Sequence, residues 1–219
     1  MFLFLQKDKA RLLGRTHYSY DELRPFFILI IPFLGSALIS NANLFIDQIM
    51  ATNVTIGGVS ALRYAYRIND LPIQVLVIAL SNAMLPFISK LAQENDTPGL
   101  QFILQNSLLI TGLFSIPITA YIIIFSPELV QVLLERGAFN KDATTITSLT
   151  LACYSLGLSF SAFCFLNGTF MTAMKKARTL FYVGLATMFL NIVLNLIFIA
   201  LIEHTAGIAL STTVTMLVI

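Results

Sequence analysis

Charge is scarce in this sequence. Asp, Glu, Lys and Arg make up 11% of its 219 residues, where a soluble domain carries roughly a quarter. Apolar residues reach 57% and the mean hydropathy is +0.84. A chain of this length could bury one soluble core, but it has too few polar residues to coat one. Cysteine is also sparse. Cys153 and Cys164 fall in one apolar segment. On a helix they would stand roughly 16 Å apart at about 1.5 Å of rise per residue, beyond disulfide reach. A disulfide framework and a Cys-based metal site are thereby excluded. Histidine is limited to His17 and His204, both in connectors, where they read as solvated loop residues. There is no glycine-rich phosphate loop, metal-ligand cluster, nucleophile elbow or basic patch interleaved with aromatics, so neither an enzyme nor a nucleic-acid binder is indicated. A cleavable signal peptide is missing too. Met1–Leu5 is too short for an h-region and the basic residues follow it; it reads as the tail of a helix that begins outside this sequence.

Long apolar runs are what the chain does have. Residues 1–24 read as that helix tail and a basic connector carrying Lys7, Lys9, Arg11, Arg15 and Arg24. Apolar segments follow at about 25–50, 61–91, 100–125, 143–174, 179–202 and 206–219, with a short amphipathic piece, Pro127–Phe139, after the third. A bilayer core needs about 20 helical residues. The first five segments are long enough; the sixth has about 14 residues at a helical rise and reads as cut off inside a helix. Backbone groups in lipid must be satisfied internally, and these runs are too long and too irregular for strands. The expected fold is all-α, a polytopic transmembrane bundle of five full helices and a truncated sixth. Pro32, Pro72, Pro86 and Pro117 fall inside or at the ends of helices and favour kinks.

Lysine and arginine set the orientation. With the N-terminal connector cytoplasmic, that side carries Lys7, Lys9, Arg11, Arg15, Arg24, Lys90, Lys175, Lys176 and Arg178. The other side carries Arg136 and Lys141, with Arg63 and Arg67 at the start of the second helix. This is a strong positive-inside bias. The cluster at Lys175, Lys176 and Arg178 is a topology signal or a contact for anionic lipid.

Polar residues inside the apolar segments are the candidate site. In ALRYAYRINDLP (Ala61–Pro72), Arg63 and Arg67 share a helix face, with Asp70 three residues on. Charges at the mouth of a membrane helix are costly and mark a pathway or a pocket. The first segment holds Asn41, Asn43 and Asp47, the fifth Asn191 and Asn195, and the sixth opens with Gly207 and Ser211. At about 1.5 Å per residue, Asp47, Asn195 and Ser211 lie roughly 5, 10 and 8 Å from the outer ends of their helices. Two readings stand: a hard-cation or proton site built on the Asp47 carboxylate, or hydrogen bonding that ties the helices together. The fourth segment is rich in hydroxyls, among them Thr144, Thr147, Thr150 and Ser155. They line a watery wall or bond back to their own helix.

Several stretches resemble one known family. GGVSALRYAYRINDLPIQVLVIALSNAMLPFISKLA, ISNANLFIDQIMAT, LLERGAF, YSLGLSFSAFCFLNGTFMTAMKKARTLF, LNIVLNLIF and HTAGIALST resemble, in order and spacing, segments of the MviN/MurJ family. These are bacterial lipid II flippases of the multidrug/oligosaccharidyl-lipid/polysaccharide exporter superfamily. The resemblance implies helices seven to twelve of a fourteen-helix inner-membrane transporter, without the first lobe that activity needs. It implies export of a lipid-linked peptidoglycan precursor for cell-wall synthesis. Arg67 falls on a cavity arginine that holds the lipid pyrophosphate; Arg63 is a second cation there or an interfacial residue. Tyr66 stands where the family commonly has Asp. Some members hold sodium between helices seven, eleven and twelve, and Asp47, Asn191, Asn195, Gly207 (through its carbonyl) and Ser211 match those positions. Asn195 stands where an acid can occur, so the set carries less charge here. No other cofactor is implied. The alternatives are a drug/cation antiporter or O-antigen-type flippase of the same superfamily, or a truncated chain inactive without its missing lobe.

Overall fold

The computed structural model describes residues 20–54, 57–137 and 139–218, with side chains from Ile30 onward. The reading of residues 1–19 lies outside the described residues. The elements are α1 (Tyr20–Ala51), α2 (Gly58–Pro72), a π-helical segment (Ile73–Ile78), α3 (Ala79–Gln93), α4 (Thr97–Ile124), α5 (Ser126–Leu134), α6 (Lys141–Ser155), α7 (Leu158–Ala173), α8 (Ala177–Ile202) and α9 (Thr205–Val218). Among the described residues there is no strand. Among the described residues, four helices are long and apolar enough to cross a membrane, and α6 with α7 passes the same test as a pair bent by 51°. The 14-residue α9 is shorter than a span.

Three features differ from the sequence reading. Residues Tyr20–Arg24, assigned to the connector, are helical. The apolar boundary at Pro25 marks where lipid would begin, not where the helix begins. The second segment runs unbroken for 36 residues from Gly58 to Gln93. Pro72 has no N–H to offer its helix, and the ladder widens to π geometry immediately after it. The fourth segment is two helices rather than one over 143–174. Gly157 stands at the break, where a Cβ would lie 2.8 Å from the Thr213 Oγ1 and 3.0 Å from its Cα. The glycine lets α9 approach closely, and it weakens the helix at the place where it bends.

The helix ends follow local chemistry. Asp96 accepts from the Gly99 amide at 3.0 Å to start α4, and Asn140 accepts from the Ala143 amide at 3.0 Å to start α6. Helix α1 packs chiefly on α8, α8 on α9, and α2 and α9 on α6. Leu62, Ala65, Val77, Leu151, Leu158 and Ile208 form the core between them. Large apolar side chains such as Leu38, Phe45, Leu109, Leu113 and Phe189 point outward, the surface expected toward lipid tails. The hydroxyls of α6 mostly bond back to carbonyls of their own helix: Thr145 to Lys141, Ser148 to Thr145, Thr150 to Ile146 and Ser155 to Leu151. Others tie helices together, with Thr150 and Thr205 3.1 Å apart and Ser155 donating to Asn69 at 3.1 Å. Back-bonding and interhelical bonds account for this segment better than a watery wall.

Gly157→Ala should destabilise the protein by about 1–3 kcal/mol, the usual range for overpacking a tight contact. Gly168→Ala should be neutral or stabilising by up to about 1 kcal/mol, because its Cβ would meet only Leu180, at 4.0 Å. Thermal unfolding of the two purified variants measures the contrast.

Candidate functional site

The carboxamide of Asn195 is the hub of a buried polar cluster. Its Nδ2 donates to Asp47 Oδ1 at 2.6 Å and to Asn191 Oδ1 at 2.9 Å, and its Oδ1 accepts from the Ser211 hydroxyl. Ser211 also lies 2.7 Å from the Ile208 carbonyl, so its one proton serves two acceptors. Asn191 donates to Thr212 Oγ1 at 3.3 Å. Asp47, Asn191, Asn195 and Ser211 are all buried. The local logic is simple. Asn191 and Asn195 are one helical turn apart on α8, so they present both amides to the same neighbours. Asp47 reaches them from the last turns of α1 and Ser211 from α9.

Gly207 stands apart from this bond network. It is buried in the first turn of α9, and a Cβ there would lie 2.8 Å from the Phe198 carbonyl oxygen. Its requirement is the close approach of α9 to α8. The amide of Gly207 donates to the His204 carbonyl at 2.9 Å.

Arg63 and Arg67 are exposed on α2 and line a cleft of about 140 Å³ with Asp47, Gln48, Tyr66 and Tyr154. Among the described residues, no carboxylate lies within 4.0 Å of either guanidinium. The sequence reading kept the arginines and Asp47 as separate sites; they share one cleft. The stretch from Leu71 to Ser89 holds 19 residues without a formal charge, close to the roughly 20 that fill a bilayer core. Arg67 therefore stands one turn beyond the edge of the apolar stretch. Tyr66 packs edge-to-face on buried Tyr154 with ring centroids 6.0 Å apart.

Sequence reasoning missed three participants. Tyr154 closes the cleft from α6, and only tertiary packing reveals it. Thr212 extends the cluster, and its place beside Ser211 was the available signal. His204 is not a plain solvated loop residue. Its Nδ1 accepts from the Ala206 amide at 3.1 Å, capping α9. Burial holds its pKa below the ordinary 6.5.

The family model described as lipid II flippase MurJ matches residues 1–219. This chain belongs to that family. A probable lipid II flippase MurJ of Rickettsia prowazekii is 28% identical over 214 residues, 98% of this chain and 42% of the relative. One from Aquifex aeolicus is 30% identical over 153 residues, covering 69% of this chain and 30% of its own length. A solved structure of lipid II flippase MurJ in an inward closed conformation superposes with a TM-score of 0.78 at 25% identity, over 99% of this chain and 46% of that one. The Vibrio cholerae transporter VcmN, of the MATE group, gives a TM-score of 0.80 at 13% identity over 93% of this chain and 45% of its own, a likeness of fold alone. The chain spans less than half the length of these relatives. The family is one of multi-pass membrane transporters, in agreement with the helical spans.

The His204 cap gives a pH signature. Its folded pKa is lowered, so the unfolded chain binds the extra proton first. The contribution of His204 to stability should be level above pH 6.5 and fall as pH drops from 6.5 toward the lowered folded value. Asn at position 204 caps without titrating. Thermal unfolding against pH should show this loss as a difference between the parent and His204→Asn that grows as pH falls below 6.5.

Proposed function

We propose that this chain is part of a flippase that carries the lipid-linked peptidoglycan precursor lipid II across the bacterial inner membrane. The observation that carries the reading is the Arg63–Arg67 cleft, in a chain that the lipid II flippase family matches over its whole length. Two guanidinium groups one turn apart, neither with a carboxylate within 4.0 Å among the described residues, suit a diphosphate: each offers a planar fork of donors to phosphate oxygens. Arg67 binds the headgroup phosphates and Arg63 assists. The opposing wall of the cavity comes from the part of the full-length protein outside this chain, so the chain does not export lipid by itself. Transport proceeds by alternating access, and the N-terminal connector is cytoplasmic, as the distribution of lysine and arginine favours. The same fold serves transporters of the MATE group, so the fold does not choose the substrate; the family does.

Coupling to a cation is the second element. The cluster offers one carboxylate, two carboxamide oxygens and hydroxyls, a hard oxygen donor set of the kind sodium takes. A sodium ion would be held by Asp47, Asn191, Asn195 and Ser211, with the Gly207 carbonyl as a fifth donor. Its binding would exchange the Asn195–Asp47 and Ser211–Asn195 hydrogen bonds for metal–oxygen contacts, which links ion occupancy to the packing of α1 on α8 and α9.

In flippase-depleted cells, the full-length protein should restore growth, and Arg67→Ala should lose at least tenfold in lipid II export while reaching the membrane normally. Full growth with Arg67→Ala would remove its role. Sodium, but not potassium, should raise the unfolding temperature of the full-length protein, and Asp47→Ala should abolish the rise. A stability indifferent to sodium would remove the cation site.

A further inference from the structure

A second cavity, of about 870 Å³, lies on the other flank of α2, between that helix, the end of α5 and the start of α6. Its volume falls in the range of roughly 300–1,000 Å³ typical of small-molecule sites. Nothing in the flippase reading uses it. Tyr64 and Phe139 line it as an edge-to-face pair with centroids 5.8 Å apart. Arg136, Asn140 and Asp142 bring a cation, an amide and a carboxylate to its rim. Asn140 uses its carbonyl oxygen to cap α6, which leaves its NH₂ free to donate.

The lining points to a ligand: the Tyr64–Phe139 aromatic pair stands beside the free NH₂ of Asn140 and the carboxylate of Asp142. The charges of Arg136 and Asp142 balance, so the cavity has no preference for an anion, unlike the Arg63–Arg67 cleft. Aromatic rings with a carboxylate, an amide and hydroxyls are the groups that bind a neutral polyhydroxylated ring: apolar C–H faces meet the aromatics and hydroxyls meet the polar groups. We propose that this cavity binds the sugar portion of a lipid-linked glycosyl diphosphate, an assignment that rests on the flippase reading. In such a molecule a single oxygen joins the sugar ring to its phosphate, so the two must occupy adjoining sites. Tyr64 and Arg67 are three residues apart on α2, with Cβ atoms about 5–6 Å from each other at helical spacing. One helix thus presents the phosphate site on one flank and the sugar site on the next.

The test uses the full-length protein in nanodiscs, with N,N′-diacetylchitobiose as a neutral, lipid-free amino-sugar probe and inorganic diphosphate as the second probe. Saturation-transfer NMR should show saturable sugar binding, weakened at least tenfold by Phe139→Ala and by Asp142→Asn and unchanged by Arg67→Ala. Diphosphate binding should show the reverse pattern. Absence of saturable sugar binding, or sugar binding that survives both Phe139→Ala and Asp142→Asn, overturns the sugar site. Sugar binding with the expected pattern in a protein that exports no lipid II in depleted cells leaves the pocket standing and overturns the flippase reading instead.

Discussion

The carboxamide of Asn195 joins α1, α8 and α9 through bonds to Asp47, Asn191 and Ser211. Between helices surrounded by lipid there is little hydrophobic drive, because the tails are as apolar as the side chains they meet. Polar bonds and close backbone contacts then decide which helices stay together. Both operate here. The Asn195 hub holds α1, whose main neighbour is α8. Gly207 seats α9 against Phe198, and Gly157 seats the bend of α6 and α7 against Thr213. Loss of a partner from the hub would leave a carboxylate or amide stranded where water is absent, at a cost well above that of a surface hydrogen bond.

The same hub sits directly behind the surface assigned to substrate. Asp47 belongs to the buried cluster and also lines the cleft that holds Arg63 and Arg67. A change in its bonding, by an ion or a proton, therefore reaches the arginine cleft without an intermediary. Helix α2 connects the features further along. It carries the arginines on one flank and Tyr64 on the next, and continues through the π-helical segment into α3. The long α2–α3 span and the bend after Ser155 give the bundle two places where helix geometry is already irregular, at Pro72 and at Gly157.

Much of this was legible in the sequence. Scarce charge and long apolar runs gave the all-helical membrane bundle, because lipid admits few alternatives. The one-turn spacing of Asn191 and Asn195, set beside the depth of Asp47 and Ser211, grouped the four residues that bond to one another. What escaped the sequence depends on packing between distant segments. Gly157 looked like any glycine in an apolar run until Thr213 stood against it. Tyr154 closes the arginine cleft from a helix about 90 residues away along the chain. Hydropathy could not distinguish a charge-free stretch from the whole helix around it, which is why α1 begins before Pro25 and α2 before Ala61.

The claim that the Asn195 hub holds α1 to its neighbours is tested most directly by a double-mutant cycle between Asp47→Ala and Asn195→Ala, read by equilibrium unfolding of the full-length protein in sodium-free buffer. A direct bond between the two side chains should give a coupling energy of about 1 kcal/mol or more, at the upper end of polar pairs in membrane proteins. Additive losses, with a coupling indistinguishable from zero, would contradict it.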